Sequence, residues 1–587
     1  MTKKMHAWSL AALPLAIGLA SFSGSAGAVA FNIGDVQAQF DSQLSIGASM
    51  STQSADKRFI HVGTVIDGEN QGGQGAARTS DDGRLNYEAG DVFSKIFRGV
   101  HDLELSYGDS GAFFRGKYWY DAEIKDGSQE FYNVDDDGRP PLVKGAGTAL
   151  LDAFVYHNYT IGNTPGNVRL GRQVVSWGES TFIQNSVNAI NPVDVAAFRR
   201  PGAEIKEGLL PVEMLYVSQG LTDNLSLEAF YQLKWAPFAI DNCGTFFGAD
   251  TLATGCNDRL VVGGSDSPQG DPTLNGRIIA RDGKDRDASD SGQYGLAFRY
   301  YAAELNDTEF GFYAMNIHSR APIYSNTQGP LVGIGGLAGG AGYFFEYPED
   351  IRIYGLSFAT NISGTAVSGE VSYRPNQPMQ VTSGSMSVAA LTGSGAFIGR
   401  PNETYAAGDY IQGYDRNGIY QAQVTAIHFI ERVLGASRLS LVGEVGYNYI
   451  ESLSDADGST FYGRDSVFGQ SPVADGSCFS QNTGRGASWC ESDGFYSSSS
   501  WGYRARAALN YSNVFAGVNL TPTLSWSHDV QGWGPNFNEG AKAINFTLNA
   551  DYANKYSASL GYTDFFDGKY NTSVDRDFVS ASVSVTF

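Results

Sequence analysis

In the stretch VQAQFDSQLSIGASM, Val36, Ala38, Phe40, Leu44, Ile46, Ala48 and Met50 share one parity, and Gln37, Gln39, Asp41, Gln43, Ser45 and Ser49 the other. INFTLNADY repeats the arrangement, with Ile544, Phe546, Leu548, Ala550 and Tyr552 opposite Asn545, Thr547, Asn549 and Asp551, and the chain ends on the same alternation in VSASVSVTF. Successive side chains of a strand point to opposite faces, so each segment reads as a strand with one apolar and one polar side. The pattern predicts strands near 36–50, 99–107, 112–121, 150–161, 167–175, 212–219, 224–234, 292–301, 308–318, 351–360, 365–374, 419–430, 438–450, 501–511, 518–528, 542–552, 555–566 and 577–587.

Tight turns and long polar loops take strict turns between these strands. The short connections are expected at 108–111, NTPGN (163), LTDN (221), ELND (304), NISG (361), LGAS (434), SNV (512) and NK (554). About eighteen strands of roughly ten residues, with all short turns at one end, predict an all-β fold: a closed antiparallel transmembrane β-barrel with short periplasmic turns and long extracellular loops. A lipid-facing sheet tolerates no open edge, so the last strand must pair with the first. Alternation alone would also suit a soluble β-sandwich; the loop asymmetry argues against it. Tyrosines on the apolar faces, among them Tyr107, Tyr120, Tyr294, Tyr300, Tyr447, Tyr449, Tyr552, Tyr556 and Tyr562, suit rings that favour the headgroup region.

The N-terminus has Lys3 and Lys4, an apolar run from Ala7 to about Phe22 and a small-residue site at Ala28-Val29-Ala30. This predicts a signal peptide over 1–30 and one exported domain over 31–587. The chain carries 17% charged residues and a formal net charge of −22, which disfavours nucleic-acid binding. Four cysteines in an oxidising compartment suggest two local disulfides, Cys243–Cys256 and Cys478–Cys490, since their spacing does not suit a zinc knuckle.

No catalytic constellation, metal site or cofactor site emerges. The histidines are scattered, GIGGLA at 333 lacks the strand-to-helix context of a dinucleotide fingerprint, and NVDDDG at 133 has Lys144 where a calcium loop needs its bidentate Glu. The expected inward faces are more informative. Candidate pore-lining residues are Arg115, Lys117, Arg299, Arg504 and Arg506, with Glu228, Glu370, Glu444 and Asp551. Opposed charges of this kind either orient a solute or neutralise one another. Three loop stretches are apolar and nearly uncharged, FIQNSVNAINPV (182), GPLVGIGGLAGGAGYFF (329) and MSVAALTGSGAFIG (386). They are expected to be buried, as a plug in the lumen or as a mutual cap. The first belongs to a loop that also carries Trp177, Glu179, Arg199, Arg200, Glu204 and Lys206, a candidate constriction folded into the pore.

RLGRQVVSWGES, the run NAINPVDVAAFRRPGAEIKEGLLPVEMLYVSQGLTDNLSLEAFYQ, and DDGRLNYEAGDVFSKIFRG resemble the exported family catalogued as domain of unknown function 1302. The resemblance implies the outer membrane of a Gram-negative bacterium, with an outer-membrane or periplasmic lipoprotein and an RND-type transporter as partners in moving hydrophobic compounds or lipids. The terminal aromatic Phe587 resembles the signal read by the barrel-insertion machinery, and membrane lipids are the other expected partner. The sequence therefore predicts a channel or facilitator for a hydrophobic or amphipathic small molecule or lipid. The alternatives are a water-filled porin for small polar or anionic solutes and a structural or adhesive barrel.

Overall fold

A computed structural model describes residues 29–66, 68–131, 133–201, 205–252, 258–263, 277–330, 340–453, 460–472 and 488–587. Most of the leader expected over 1–30, together with Glu204, Cys256 and Cys478, lies outside them.

Eighteen strands close one antiparallel barrel. In chain order they are β1 (Val36–Ser51), β2 (Val92–Tyr107), β3 (Ser110–Asp121), β4 (Ala146–Ile161), β5 (Thr164–Gln173), β6 (Val212–Gly220), β7 (Leu225–Gln232), β8 (Tyr294–Ala302), β9 (Thr308–Ile317), β10 (Ile351–Ile362), β11 (Thr365–Gln380), β12 (Tyr414–Val433), β13 (Ala436–Ile450), β14 (Ser499–Phe515), β15 (Val518–Gln531), β16 (Lys542–Tyr552), β17 (Tyr556–Phe566) and β18 (Phe578–Thr586). Each pairs with its neighbours in sequence, and β18 returns to β1 in the register Gln43↔Thr586 through Ser51↔Phe578. The seam is extended by reciprocal bonds, Ser42 N to Phe587 O at 2.8 Å and Phe587 N to Ser42 O at 2.9 Å. A further short strand, Val29–Ile33, folds back on β1 and pairs along Val36 to Phe40.

The exterior is apolar because the alternation demands it. Ile46, Leu170, Leu296, Phe298, Leu356, Leu524, Phe546, Leu560 and Val583 all stand exposed on the outer face, where only lipid tails would make such exposure favourable. Aromatic girdles flank this belt, with Tyr120, Tyr294, Tyr354, Tyr447, Tyr449 and Tyr562 toward the long-loop end and Tyr107, Tyr300, Tyr552 and Tyr556 toward the turns. Among the described residues no helix is long and apolar enough to cross a membrane.

One predicted turn moves. The strand runs through SNV at 512 with a bulge between Tyr511 and Phe515, and the chain reverses at Ala516-Gly517, at φ 49° and 87°. Two consecutive positive φ angles are what a tight hairpin needs to match strand twist. Several strands also run beyond their predicted ends; β12 spans 20 residues because its partners continue above the apolar belt.

The apolar loop stretches divide. Gly342–Glu346 and the helix Ser383–Thr392 enter one cap at the long-loop end, where Tyr343, Phe345, Met386, Ala389, Ala390 and Ile398 are buried together. Residues 331–339 lie outside the described set. The stretch at 182 goes into the barrel instead.

Candidate functional site

The β5–β6 loop, residues 174–211, crosses the lumen and is tied to the wall on several sides. At its centre Glu444 of β13 accepts three successive backbone N–H groups: Thr181 to Oε1 at 2.9 Å, and Phe182 and Ile183 to Oε2 at 2.6 and 2.8 Å. Glu370 of β11 does the same for Glu179 N and for Val187 N, the latter at 3.2 Å. Arg374 donates to Ser186 O at 2.8 Å, and Gln421 donates to Gln184 O at 2.8 Å. Wall carboxylates thus satisfy the loop's backbone where regular structure cannot, as buried backbone requires.

Ion pairs fasten the loop's second half. Arg98 meets Glu207 at 2.5 Å, and Lys117 and Arg200 share Asp194 at 3.3 and 3.5 Å. Lys206 reaches Asp102 at 3.6 Å, which Arg115 also grips by Nε at 2.7 Å and Nη2 at 2.8 Å. Arg199 pairs with Asp241 and lies 4.3 Å from the Phe247 ring centroid. Trp177 is 1% exposed and donates to Glu228 at 2.7 Å, while Arg299 joins Glu228 at 2.8 Å and Glu309 at 2.9 Å. Arg299 also lies 3.9 Å from Glu179.

The wall under the loop is not polar throughout, contrary to the expectation of a wet interior on every strand. Val212, Met214 and Phe230 pack with Ala297, Met315 and Ile353, facing inward against Val175, Trp177, Val187 and Ile190. Four wall glycines admit the loop. A Cβ would come within 2.8 Å of Pro201 on Gly47, 2.9 Å of Trp177 on Gly295, 2.5 Å of Val187 on Gly355 and 2.7 Å of Ile183 on Gly446. Glycines at inward strand positions were the sequence signal for close backbone approach, one that periodicity alone does not rank.

Among the described residues Asn185 reaches only Asn536 of the β15–β16 connection, at 2.6 Å, and no anchor of the loop sits on the strands β14–β18. There the inward positions, opposite the exposed Leu524, Phe546 and Leu560, carry Ser525, Ser527, Asn545, Thr547, Asn549, Ser557, Ser559 and Thr563, all half-buried. They form a lane of hydroxyls and amides along one side of the lumen. Arg506 stands exposed in it, whereas Arg504 is held by Asp529 at 2.7 Å. Asp551 belongs to the turn end, where it accepts Asn554 N at 3.3 Å. The candidate pore residues therefore separate: Arg115, Lys117, Arg299, Glu228, Glu370 and Glu444 hold or face the loop, and Arg506 faces the lane.

At the long-loop end the loops line a half-open cavity of about 600 Å³. Its walls include Leu252, Val261, Tyr324, Phe345, Val388, Leu391, Tyr496, Trp533, Phe537 and Tyr570, with Arg78, Arg464, Asp250 and Asp465 among them. Burial holds the Asp250 carboxyl well above the ordinary range, reinforced by Asp82. This vestibule draws on residues scattered from 76 to 572, so sequence reasoning had no way to assemble it.

Among the described residues the histidines do not converge. His101 bonds Ser42, His157 bonds Ser110 and His428 bonds Thr365, each a directly paired residue of the adjacent strand. The Asp135-Asp136-Asp137 cluster is drawn into loop structure, Asp136 accepting Lys125 at 2.6 Å and Gly145 N at 2.9 Å. Each predicted disulfide has one member, Cys256 or Cys478, outside the described residues.

Residues 9–587 match the family model described as protein of unknown function (DUF1302). No curated protein matches the chain. Among solved structures it is similar to OccAB1 of Acinetobacter baumannii, at 12% identity and TM-score 0.38, over 94% of this chain and 96% of that one. It is similar too to the outer membrane channel DcaP of Acinetobacter baumannii, at 9% identity and TM-score 0.33, over 94% and 97%. A BenF-like porin from Pseudomonas fluorescens aligns at 10% identity and TM-score 0.38, over 94% and 98%.

Proposed function

The chain belongs to the DUF1302 family, and from that premise we propose that it is a Gram-negative outer-membrane channel that admits a hydrophobic or amphipathic small molecule. The observation that carries this reading is the vestibule of about 600 Å³ walled by Tyr324, Phe345, Leu391, Trp533 and Phe537. A wide aqueous mouth has no use for such a surface, and a mostly apolar pocket with a few polar groups is how small organic ligands are held. The loop-end cavity, the plugging loop 174–211 and the polar lane of β14–β18 then form a route. Cargo collects in the vestibule, is kept from free diffusion by the loop, and passes along the hydroxyl-lined side. A lipoprotein or RND-type transporter would receive or supply it on the periplasmic side.

The lane favours a second reading, a porin for small polar solutes, because hydroxyls and amides dominate its lining, with Arg504 paired to Asp529 and with Asp551 at the turn end, beside the exposed Arg506. The two separate in one comparison. Proteoliposomes should take up an apolar probe faster than empty vesicles and swell little with a small sugar. Rapid swelling with the sugar and no gain for the apolar probe would replace the first reading by the second. A deletion strain should grow more slowly on an apolar carbon source and normally on succinate.

A further inference from the structure

Arg464 borders the vestibule and is 7% exposed. Its Nη1 donates to Glu491 O at 2.9 Å and Asp493 O at 2.8 Å, and its Nη2 to Gln470 O at 2.6 Å. All three acceptors are neutral carbonyls. The guanidinium lies 3.9 Å from the Phe495 ring centroid and 5.4 Å from that of Tyr570. The carboxylates of Glu491 and Asp493 act on it only through space, and each is in an ion pair with Lys569, at 2.7 and 3.6 Å. Nε is buried without an acceptor among the described residues. The Nε–Nη2 edge is the one by which Arg115 grips Asp102.

A guanidinium taken out of water and hydrogen-bonded only to neutral groups can take an anion in direct contact, since desolvation is offset fully only by an opposite charge. Among the described residues, Ser80 Oγ, Trp533 Nε1 and Asn538 Oδ1 of the same wall also lack partners. The other charged groups facing the cavity do not supply the missing anion. Asp465 spends Oδ1 on Val467 N at 2.8 Å and is exposed, Asp250 accepts Gly244 N and Asp82 N at 3.1 Å each, and Arg78 adds positive charge while donating to His61 Nε2 at 2.7 Å.

We propose that the vestibule selects an amphipathic anion, its apolar body against Tyr324, Phe345 and Leu391 and its carboxylate or sulfonate on the guanidinium of Arg464. This rests on the channel reading and narrows it: a purely hydrocarbon cargo would leave the arginine unanswered, and a small hydrophilic anion would leave the aromatic walls unused. An anionic end would also suit onward movement past Arg506 in the lane.

The test is equilibrium dialysis of radiolabelled naphthalene-2-carboxylate and of neutral naphthalene-2-methanol against the full chain in nanodiscs, with empty discs subtracted. A charge-assisted contact in a desolvated site predicts that the carboxylate binds about tenfold or more tighter than the alcohol. Arg464→Gln should bring the two affinities together by weakening the carboxylate alone, and Arg464→Lys should restore part of the preference. Equal affinities in the unaltered protein, or a preference that survives Arg464→Gln, would overturn the inference while leaving the apolar vestibule intact. Loss of both probes in both variants would show that the arginine only shapes the cavity, and overturns it as well. If neither probe binds the unaltered protein, the channel reading fails with it.

Discussion

Removing the Glu444 carboxylate should loosen the plug without unfolding the barrel. Glu444 is 2% exposed and receives three consecutive backbone N–H groups of the loop. A hydrogen bond to a charged group contributes about 1.5–3 kcal/mol, and an abandoned donor that water can reach loses less. Because hydroxyls and amides line the β14–β18 side of the lumen and would let water reach the freed donors, Glu444→Ala should cost the docked loop about 3 kcal/mol, which raises the detached population about a hundredfold. The strand ladders of β12, β13 and β14 keep every backbone bond, so the barrel survives, as heat-modifiable migration on gels would report. Glu370 and the Arg98–Glu207 pair still hold the loop's flanks, so the single variant should flicker in planar-bilayer recordings and Glu370→Ala/Glu444→Ala should conduct persistently more. Glu444→Gln, which keeps an acceptor, should fall between the unaltered protein and Glu444→Ala. A double variant that folds and shows unaltered conductance and noise would refute the claim that this loop closes the pore.

Burial, with Asp82 beside it, pushes the Asp81 carboxyl in the β1–β2 loop up to about 7 from an ordinary 3.8. The folded loop therefore keeps a proton that the unfolded chain releases. This contribution is full below about pH 4, fades as pH rises toward 7 and is gone above, while His61 of the same loop, held neutral by burial down to about pH 3, works in the opposite direction as pH falls below its ordinary 6.5. In a His61→Gln background, hydrogen exchange over residues 58–87, corrected for intrinsic rate, should be faster at pH 8 than at pH 5, and Asp81→Asn should flatten the difference. On the lipid face, Leu560→Arg should lower unfolding stability in phospholipid vesicles by about 2–4 kcal/mol, whereas Ser559→Arg on the inward face should cost far less; equal losses would contradict the assigned faces. Peptide mapping without reductant should recover Cys243 joined to Cys256 and Cys478 joined to Cys490, and any other pairing would correct the loop assignment.

Much of the barrel was legible from particular residues. Phe546 and Val583, at 50% and 54% exposed, face outward as their parity required, and all eighteen strands form at the predicted places. The turn at 512 misled because Ser and Asn are common turn formers, while Ala516-Gly517 met the backbone requirement and Asn513 was absorbed as a bulge. Trp177 and Glu179 lie in the loop that enters the barrel, yet nothing in the linear pattern tied them to Glu228 and Glu370, 51 and 191 residues away. Counting charges on inward faces also treated Glu444 and Arg506 alike, although one anchors a loop and the other faces open space.

What the amino-acid order determined by itself was the ring of strands, because period-two alternation and turn chemistry are local and the apolar medium enforces the rest. Which strands meet the plug, where the lane stays open and how the vestibule assembles were decided only in three dimensions. Those features depend on wall glycines, carboxylates and arginines brought together by barrel closure, and closure places residues side by side that share no neighbourhood along the chain.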